Sequence, residues 1–262
     1  MDGPPAASLG GMGKINYDAR LHTGYVAGRQ LSPDALGTWL EAFARHLPDT
    51  RPLSWLDLGS GTGRMTPHLA GAFGGPAHGV EPSEKMRAQA VAGAAHPAVT
   101  YAAGSAESIP LPDASVDAAL LFFVWHHVAG RETAARELRR VVKPGGTIFV
   151  QTNFSDLMPD VWWFRAVPEW GKADSAQFRT QDEVIGDFTG AGWTLAAREE
   201  VTWPRSASLA EDYERLKRRA VSFFELVTEE QIEAGFARIE ELLPSLGSEP
   251  QYETSQLLVF RR

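Results

Sequence analysis

From residue 53 onward, short apolar runs alternate with stretches whose apolar residues recur at helical spacing. The runs at residues 53–58, 77–80, 99–102, 116–123 and 147–151 have the length of strands, and helices are predicted between them at 64–72, 83–94 and 131–142. Strands and helices in strict alternation produce a parallel sheet covered on both faces. The last of these helices is expected to halt at Lys143-Pro144-Gly145-Gly146, where proline and paired glycines turn the chain into the next strand. After residue 151 the rhythm loosens into a Trp-rich stretch. A helix near 180–191, a strand near 193–200, two further helical segments and a final strand at 256–260 follow. Residues 1–13, rich in Gly, Ala and Pro, have little to bury and are expected to form a flexible arm. There is no internal repeat.

Composition narrows the function. An apolar share of 44% over 262 residues suffices for one α/β domain with a covering addition. A net charge of −8 opposes a broad nucleic-acid surface, which draws its affinity from clustered Lys and Arg. The short cluster Lys217-Arg218-Arg219 follows Glu211, Asp212 and Glu214 in one helical stretch and reads as a solvated face. With no cysteine, disulfides, thiolate metal sites and cysteine nucleophiles are excluded. The start shows no secretory pattern, and the longest nearly apolar run, 118–125, falls far short of the roughly 20 residues of a membrane span, so a cytoplasmic location is expected.

The chemistry concentrates at strand ends. The first strand runs into Asp57-Leu58-Gly59-Ser60-Gly61-Thr62-Gly63, a loop whose glycines let a ligand lie against bare backbone while the next helix presents its free N–H groups. In doubly wound sheets, ligands bind at this carboxyl end. A dinucleotide fingerprint beginning at Gly59 would need glycine where Arg64 stands, which counts against a nicotinamide cofactor. The second strand ends in Gly79-Val80-Glu81-Pro82-Ser83, with an acid placed to accept from two ribose hydroxyls.

An acid followed by G-x-G-x-G resembles the first motif of the class I S-adenosylmethionine-dependent methyltransferases, in particular the small-molecule, ubiquinone/menaquinone-methyltransferase-like group. Gly104-Ser105-Ala106-Glu107, the segment Ile109 to Asp117, Phe122-Phe123-Val124-Trp125-His126-His127 and the block Leu138 to Gly146 extend the likeness in order across residues 53–151. The resemblance implies a Rossmann-like α/β sheet of seven strands, order 3-2-1-4-5-7-6, with the last strand antiparallel and helical lid elements. It implies N-terminal helices at 14–50 covering the cofactor, a core at 51–262 and cap segments near 152–180 and 201–250. The implied S-adenosylmethionine contacts are Asp57, Gly59, Ser60, Gly61, Thr62, Gly63, Glu81, Pro82, Met86, Ser105, Ala106, Glu107 and Phe122. Tyr17 and Tyr25 resemble the aromatic lead-in of relatives, and Arg29 is placed to meet the cofactor carboxylate. One departure is Ser105, which stands where relatives carry an aspartate that accepts from the adenine amino group.

Simpler readings stand beside these. Asp57 could cap the following helix, Glu81 could be an exposed acid before a proline turn, and Met86 and the two tyrosines could be packing residues. His126 and His127 lie where the fourth strand delivers residues beside the reacting methyl, and one of them could act as a base for a hydroxyl or protonated-amine acceptor. Adjacent residues diverge, so at most one is expected to point inward. They make a poor metal pair, and no metal is expected. The aromatics from Trp162 to Trp170 are a substrate wall or simply core. The expected activity is methyl transfer to an O, N or C atom of a small organic metabolite. An S-adenosylmethionine-binding protein that transfers nothing, and an NAD-linked oxidoreductase, are the competing readings.

Overall fold

The computed structural model describes residues 31–245 and 248–262. The arm at 1–13, the first part of the 14–50 segment, and Tyr17, Tyr25 and Arg29 lie outside the described residues.

Among the described residues, β1 (Leu53–Leu58), β2 (Gly74–Val80), β3 (Val99–Ala102), β4 (Val116–Phe122), β5 (Val142–Gln151), β6 (Thr194–Ser206) and β7 (Gln251–Arg261) form one sheet. Its order is β3-β2-β1-β4-β5-β7-β6, as the resemblance implies. β1 to β5 run parallel, and β7 is antiparallel to both β5 and β6. Period-two alternation sends Leu56, Leu58, Ala119, Leu121, Ile148 and Val150 to one face, and Trp55, Ala118, Leu120 and Phe149 to the other. Both faces are therefore apolar and both are covered.

The first face packs on α4 (Arg131–Val141) and α7 (Gln181–Thr189) through Leu138, Val184 and Phe188. The second packs on α1 (Pro33–Ala44) and α2 (Thr66–Phe73) through Trp39, Phe43, Leu69 and Phe73. Local chemistry fixes the helix starts. Ser32 accepts from the Ala35 N–H ahead of Pro33, and Ser83 caps α3 (Glu84–Gly93) by accepting from Met86. Thr180 and Glu183 form a reciprocal capping box at α7.

Three expectations need correction. Helix α4 stops at Val141, and the Lys143-Pro144-Gly145-Gly146 block lies inside the start of β5 rather than in a turn before it. Val142 already pairs with Val116, and the left-handed Gly145, at φ 77°, accompanies a register shift before Ala118 meets Thr147. β6 and β7 also extend well beyond their apolar segments, because polar cross-strand pairs such as Thr202 with Thr254 continue the ladder where hydrophobic periodicity gives no signal. Lastly, in the stretch read as a solvated face, Lys217, Arg218 and Arg219 are exposed as expected, but Asp212 is completely buried.

A third cluster lies beyond the sheet. Helices α5 (Trp162–Ala166), α6 (Pro168–Ser175), α8 (Leu209–Leu216) and α9 (Glu229–Leu242) gather Trp162, Trp163, Trp170, Tyr213, Phe223 and Ile239 into a cap with its own apolar core. Each large side chain buried there contributes roughly 1.5–3 kcal/mol to holding the cap together.

Candidate active site

The loop after β1 is held open by its own backbone. Gly59 and Ser60 donate to the Val80 carbonyl at 2.7 and 3.2 Å, binding the loop to the end of β2. Gly59, Gly61 and Gly63 are all left-handed, at φ 70°, 55° and 81°. A Cβ at Gly59 would fall 2.5 Å from Val124, whereas a Cβ at Gly61 would meet nothing within 4 Å. Gly61 thus presents bare backbone to open space, the feature a ligand pressed against the loop requires.

Glu81, only 9% exposed, faces this loop. Its Oε2 accepts from the Gly61 N–H at 3.0 Å and its Oε1 from the Ser83 N–H at 2.9 Å. These two bonds aim the carboxylate across the loop. Asp57 is buried at the end of β1 and accepts from the Thr66 hydroxyl at 2.7 Å. Burial pushes its carboxyl up to about 6; the Thr66 bond and the Arg64 charge oppose that rise, and Glu81 adds to it. A positive charge brought near this carboxyl would favour its ionised form. The Ser60 hydroxyl is buried with no hydrogen-bond partner among the described residues.

The other sequence-predicted residues are distributed around this centre. Thr62 is partly exposed on the loop and Pro82 follows Glu81. Met86 and Ala106 are buried, and Ser105 forms a tight bridge with Ser108. The Glu107 carboxylate accepts from the Gly130 N–H at 3.0 Å, which ties it to the start of α4. Phe122 ends β4 edge-on to Trp39, with the Arg64 guanidinium 5.0 Å above its ring.

Beside the loop lies a cavity of about 120 Å³, bordered by Arg64, Phe122, His126, Trp163, Phe178 and Trp203 among others. Of the two histidines, His126 borders it and His127 is not among its lining residues. His126 Nδ1 lies 3.3 Å from the Thr152 hydroxyl, and its ring stands edge-on to Phe178. The Trp-rich stretch is divided, with Trp163 and Phe164 bordering the cavity and Trp162 and Trp170 in the cap core.

Sequence reasoning missed Arg64 as a site residue, along with Phe123, Asn153, Arg205 and Arg215, which also border the cavity. Phe123 offers no sequence signal. It sits at φ 60°, a conformation costly for a bulky residue, held by its N–H bond to the Gln151 carbonyl at 2.8 Å.

Glycine loop, acid-tipped parallel strands and an adjoining aromatic cavity define a nucleotide-type cofactor site on a doubly wound sheet. Residues 56–150 match the methyltransferase domain model Methyltransf_11. The chain is 33% identical over 180 residues to an uncharacterized methyltransferase of Mycobacterium tuberculosis, covering 68% of this chain and 66% of the relative, just under two thirds of its length. It is 30% identical over 183 residues to the ubiquinone/menaquinone biosynthesis C-methyltransferase UbiE of Caulobacter vibrioides, covering 61% of this chain and 72% of the relative. The chain belongs to the class I S-adenosylmethionine-dependent methyltransferases, a family that implies S-adenosylmethionine as cofactor.

Solved structures share the fold. One, described as a methyltransferase from an antibiotic biosynthesis pathway of Anabaena variabilis, has a TM-score of 0.67 at 23% identity, covering 88% of this chain and all of that one. The cyclase SpnF has a TM-score of 0.60 at 18% identity, covering 90% of this chain and 84% of that one. The fold therefore does not by itself fix the reaction. No described helix is long and apolar enough to cross a membrane. Among the described residues there is no group of three or more His, Asp or Glu able to hold a metal ion.

Proposed function

We propose that the protein transfers the methyl group of S-adenosylmethionine to an O, N or C atom of a small organic molecule held in the aromatic cavity. The observation that carries this reading is the size and position of that cavity: about 120 Å³, walled by aromatic side chains, and sharing Arg64 and Phe122 with the glycine-loop side. A space of that volume takes about one ring with small substituents and is too small for a folded macromolecular surface.

The cofactor supplies a methyl group already activated by a sulfonium, so the protein contributes alignment and exclusion of water. Glu81 would accept from the ribose hydroxyls while the Gly61 N–H keeps its carboxylate aimed. The cofactor's amino group would lie on the Asp57 side, where its positive charge favours the ionised carboxyl. Phe122, Trp163 and Trp203 shield the cavity from water. His126 is the residue placed to take a proton from the acceptor, with Thr152 steadying its Nδ1 edge. Glu107 and Ser105 belong to the adenine side of the site in this reading, and Met86 packs behind it.

The test is transfer of a labelled methyl group from S-adenosylmethionine to a panel of small aromatic and polar acceptors. Label in a product of acceptor plus one methyl supports the reading. Tight cofactor binding with no transfer to any acceptor would favour a non-methylating role. With an acceptor in hand, His126→Gln should abolish the rise of kcat/KM with pH that a histidine base produces, while leaving cofactor affinity within about twofold. An unchanged pH profile would remove His126 from proton transfer.

A further inference from the structure

The charged groups around the cavity are arranged asymmetrically. Arg64, Arg205 and Arg215 border it and are partly exposed, whereas the acids at or behind its wall, Asp174, Asp212 and Glu253, are buried. A ligand entering the cavity therefore meets guanidinium groups before carboxylates.

Arg205, on β6, is unusually constrained for so long a side chain. Its Nε donates to both carboxylate oxygens of Asp212, at 2.9 and 3.0 Å, and its Nη1 donates to Glu253 on β7. Asp212 is fixed in turn by the Trp162 indole N–H at 2.9 Å, and the Arg205 Cζ lies 4.3 Å from the centre of the Trp163 ring. Two edges and one face of the guanidinium are thus occupied, and Nη2 takes part in none of these bonds. Replacing a buried charge network with apolar residues is often neutral or stabilising, so stability alone does not explain three charges at this place. What the network provides is a cation whose rotamer freedom is already spent before a ligand arrives. Arg215 donates to the Arg205 carbonyl and brings a second guanidinium to the same wall. Burial, together with the positive charge of Arg205, makes Arg215 a weaker base than an ordinary arginine, while Asp212, Glu211 and Glu253 pull the other way.

We infer that Arg205, supported by Arg215, anchors a carboxylate on an aromatic acceptor whose ring lies among Phe122, Phe178 and Trp203. This rests on the reading of the cavity as the acceptor site. The guanidinium Nη2 supplies a charge-assisted hydrogen bond to the carboxylate, and the aromatic walls bury the ring. Asp212, with both oxygens bonded to Arg205 and Oδ2 also to Trp162, and Glu253, through Oε2, set the position of Arg205.

The test uses the full chain saturated with S-adenosylhomocysteine and three probes of one size, benzoate, benzamide and benzylammonium, with binding read from tryptophan fluorescence and ligand-observed NMR. Benzoate should bind about tenfold tighter than benzamide, and benzylammonium weakest. Arg205→Lys keeps the charge that Asp212 and Glu253 require but loses the fork, and should reduce the benzoate preference about tenfold with S-adenosylhomocysteine affinity unchanged. If that variant fails to fold, Arg215→Gln, which leaves the bonds of Arg205 to Asp212 and Glu253 in place, should lower the same preference about threefold. Equal binding of benzoate and benzamide, a preference for benzylammonium, or no benzoate binding at about 10 mM would overturn the assignment. Failure to bind S-adenosylhomocysteine would count instead against the function proposed above. The benzoate-to-benzamide ratio on the same chain would still decide for or against the anchor.

Discussion

The two halves of the proposed site are built from different materials. On the cofactor side the backbone does most of the work: glycines at positive φ, N–H groups bonded to Val80, and acids at the ends of consecutive strands. On the acceptor side the wall consists of side chains from β4, β6, β7 and the cap helices, joined by a buried ionic network and ring contacts. Backbone geometry tolerates few sequences, whereas a side-chain wall can be rebuilt many ways at constant volume. The first half suits a constant ligand and the second a variable one.

The comparison can be broken most severely at Gly59. Alanine there combines a disfavoured φ with a Cβ only 2.5 Å from the stiff side chain of Val124. Gly59→Ala is expected to weaken S-adenosylhomocysteine binding by about a hundredfold by calorimetry, while the acceptor wall keeps its tryptophan fluorescence. Retained affinity would show that the loop is not the binding element.

A second test sharpens the contrast by separating stability from binding. An acid whose folded pKa is raised costs folding free energy above that pKa, and the cost disappears as pH falls towards its unfolded value. For Asp57 the displacement from 3.8 to about 6 corresponds to about 3 kcal/mol at neutral pH. Asp57→Asn should therefore raise Tm at pH 7, with the gain shrinking between pH 6 and 4, and should weaken cofactor binding about tenfold. Binding to the wild type should likewise weaken as pH falls through about 6, with proton release on binding in that range. A lowered Tm in the variant would show that Asp57 is structural.

The smallest expected effect lies in the cap. A Cβ at Gly235 would fall 2.1 Å from the buried Trp170 ring. Gly235→Ala should cost about 2 kcal/mol in denaturant unfolding and shift acceptor binding, with cofactor affinity within about threefold of wild type. A large loss of cofactor affinity would mean that the two halves are not separable.

The same contrast explains what the sequence revealed. Strand order, the glycine loop, the position of Glu81 and the starts of α3, α4 and α7 to within a residue followed from apolar runs, turn residues and a resemblance carried by motif spacing. Arg205 and Asp212 could not be found that way. They lie on β6 and α8, and the residues that give them meaning, Trp162 and Glu253, are 50 and 48 positions away from Asp212 and Arg205, respectively. Asp212 sits among solvated charges in the sequence, and only the indole N–H and guanidinium that surround it account for its burial. His126 was found with its neighbour, but the distinction between them depends on a single turn of 3₁₀ helix at Trp125–His127, which no periodicity shows.

The most direct test is calorimetric titration of the wild type and Glu81→Ala with S-adenosylmethionine and S-adenosylhomocysteine. Micromolar binding of both to the wild type is expected, with a loss of about a hundredfold in the variant and its fold intact by circular dichroism. Equal affinity in the two proteins, or no binding to the folded wild type at millimolar ligand, would contradict the placement of the cofactor at the glycine loop.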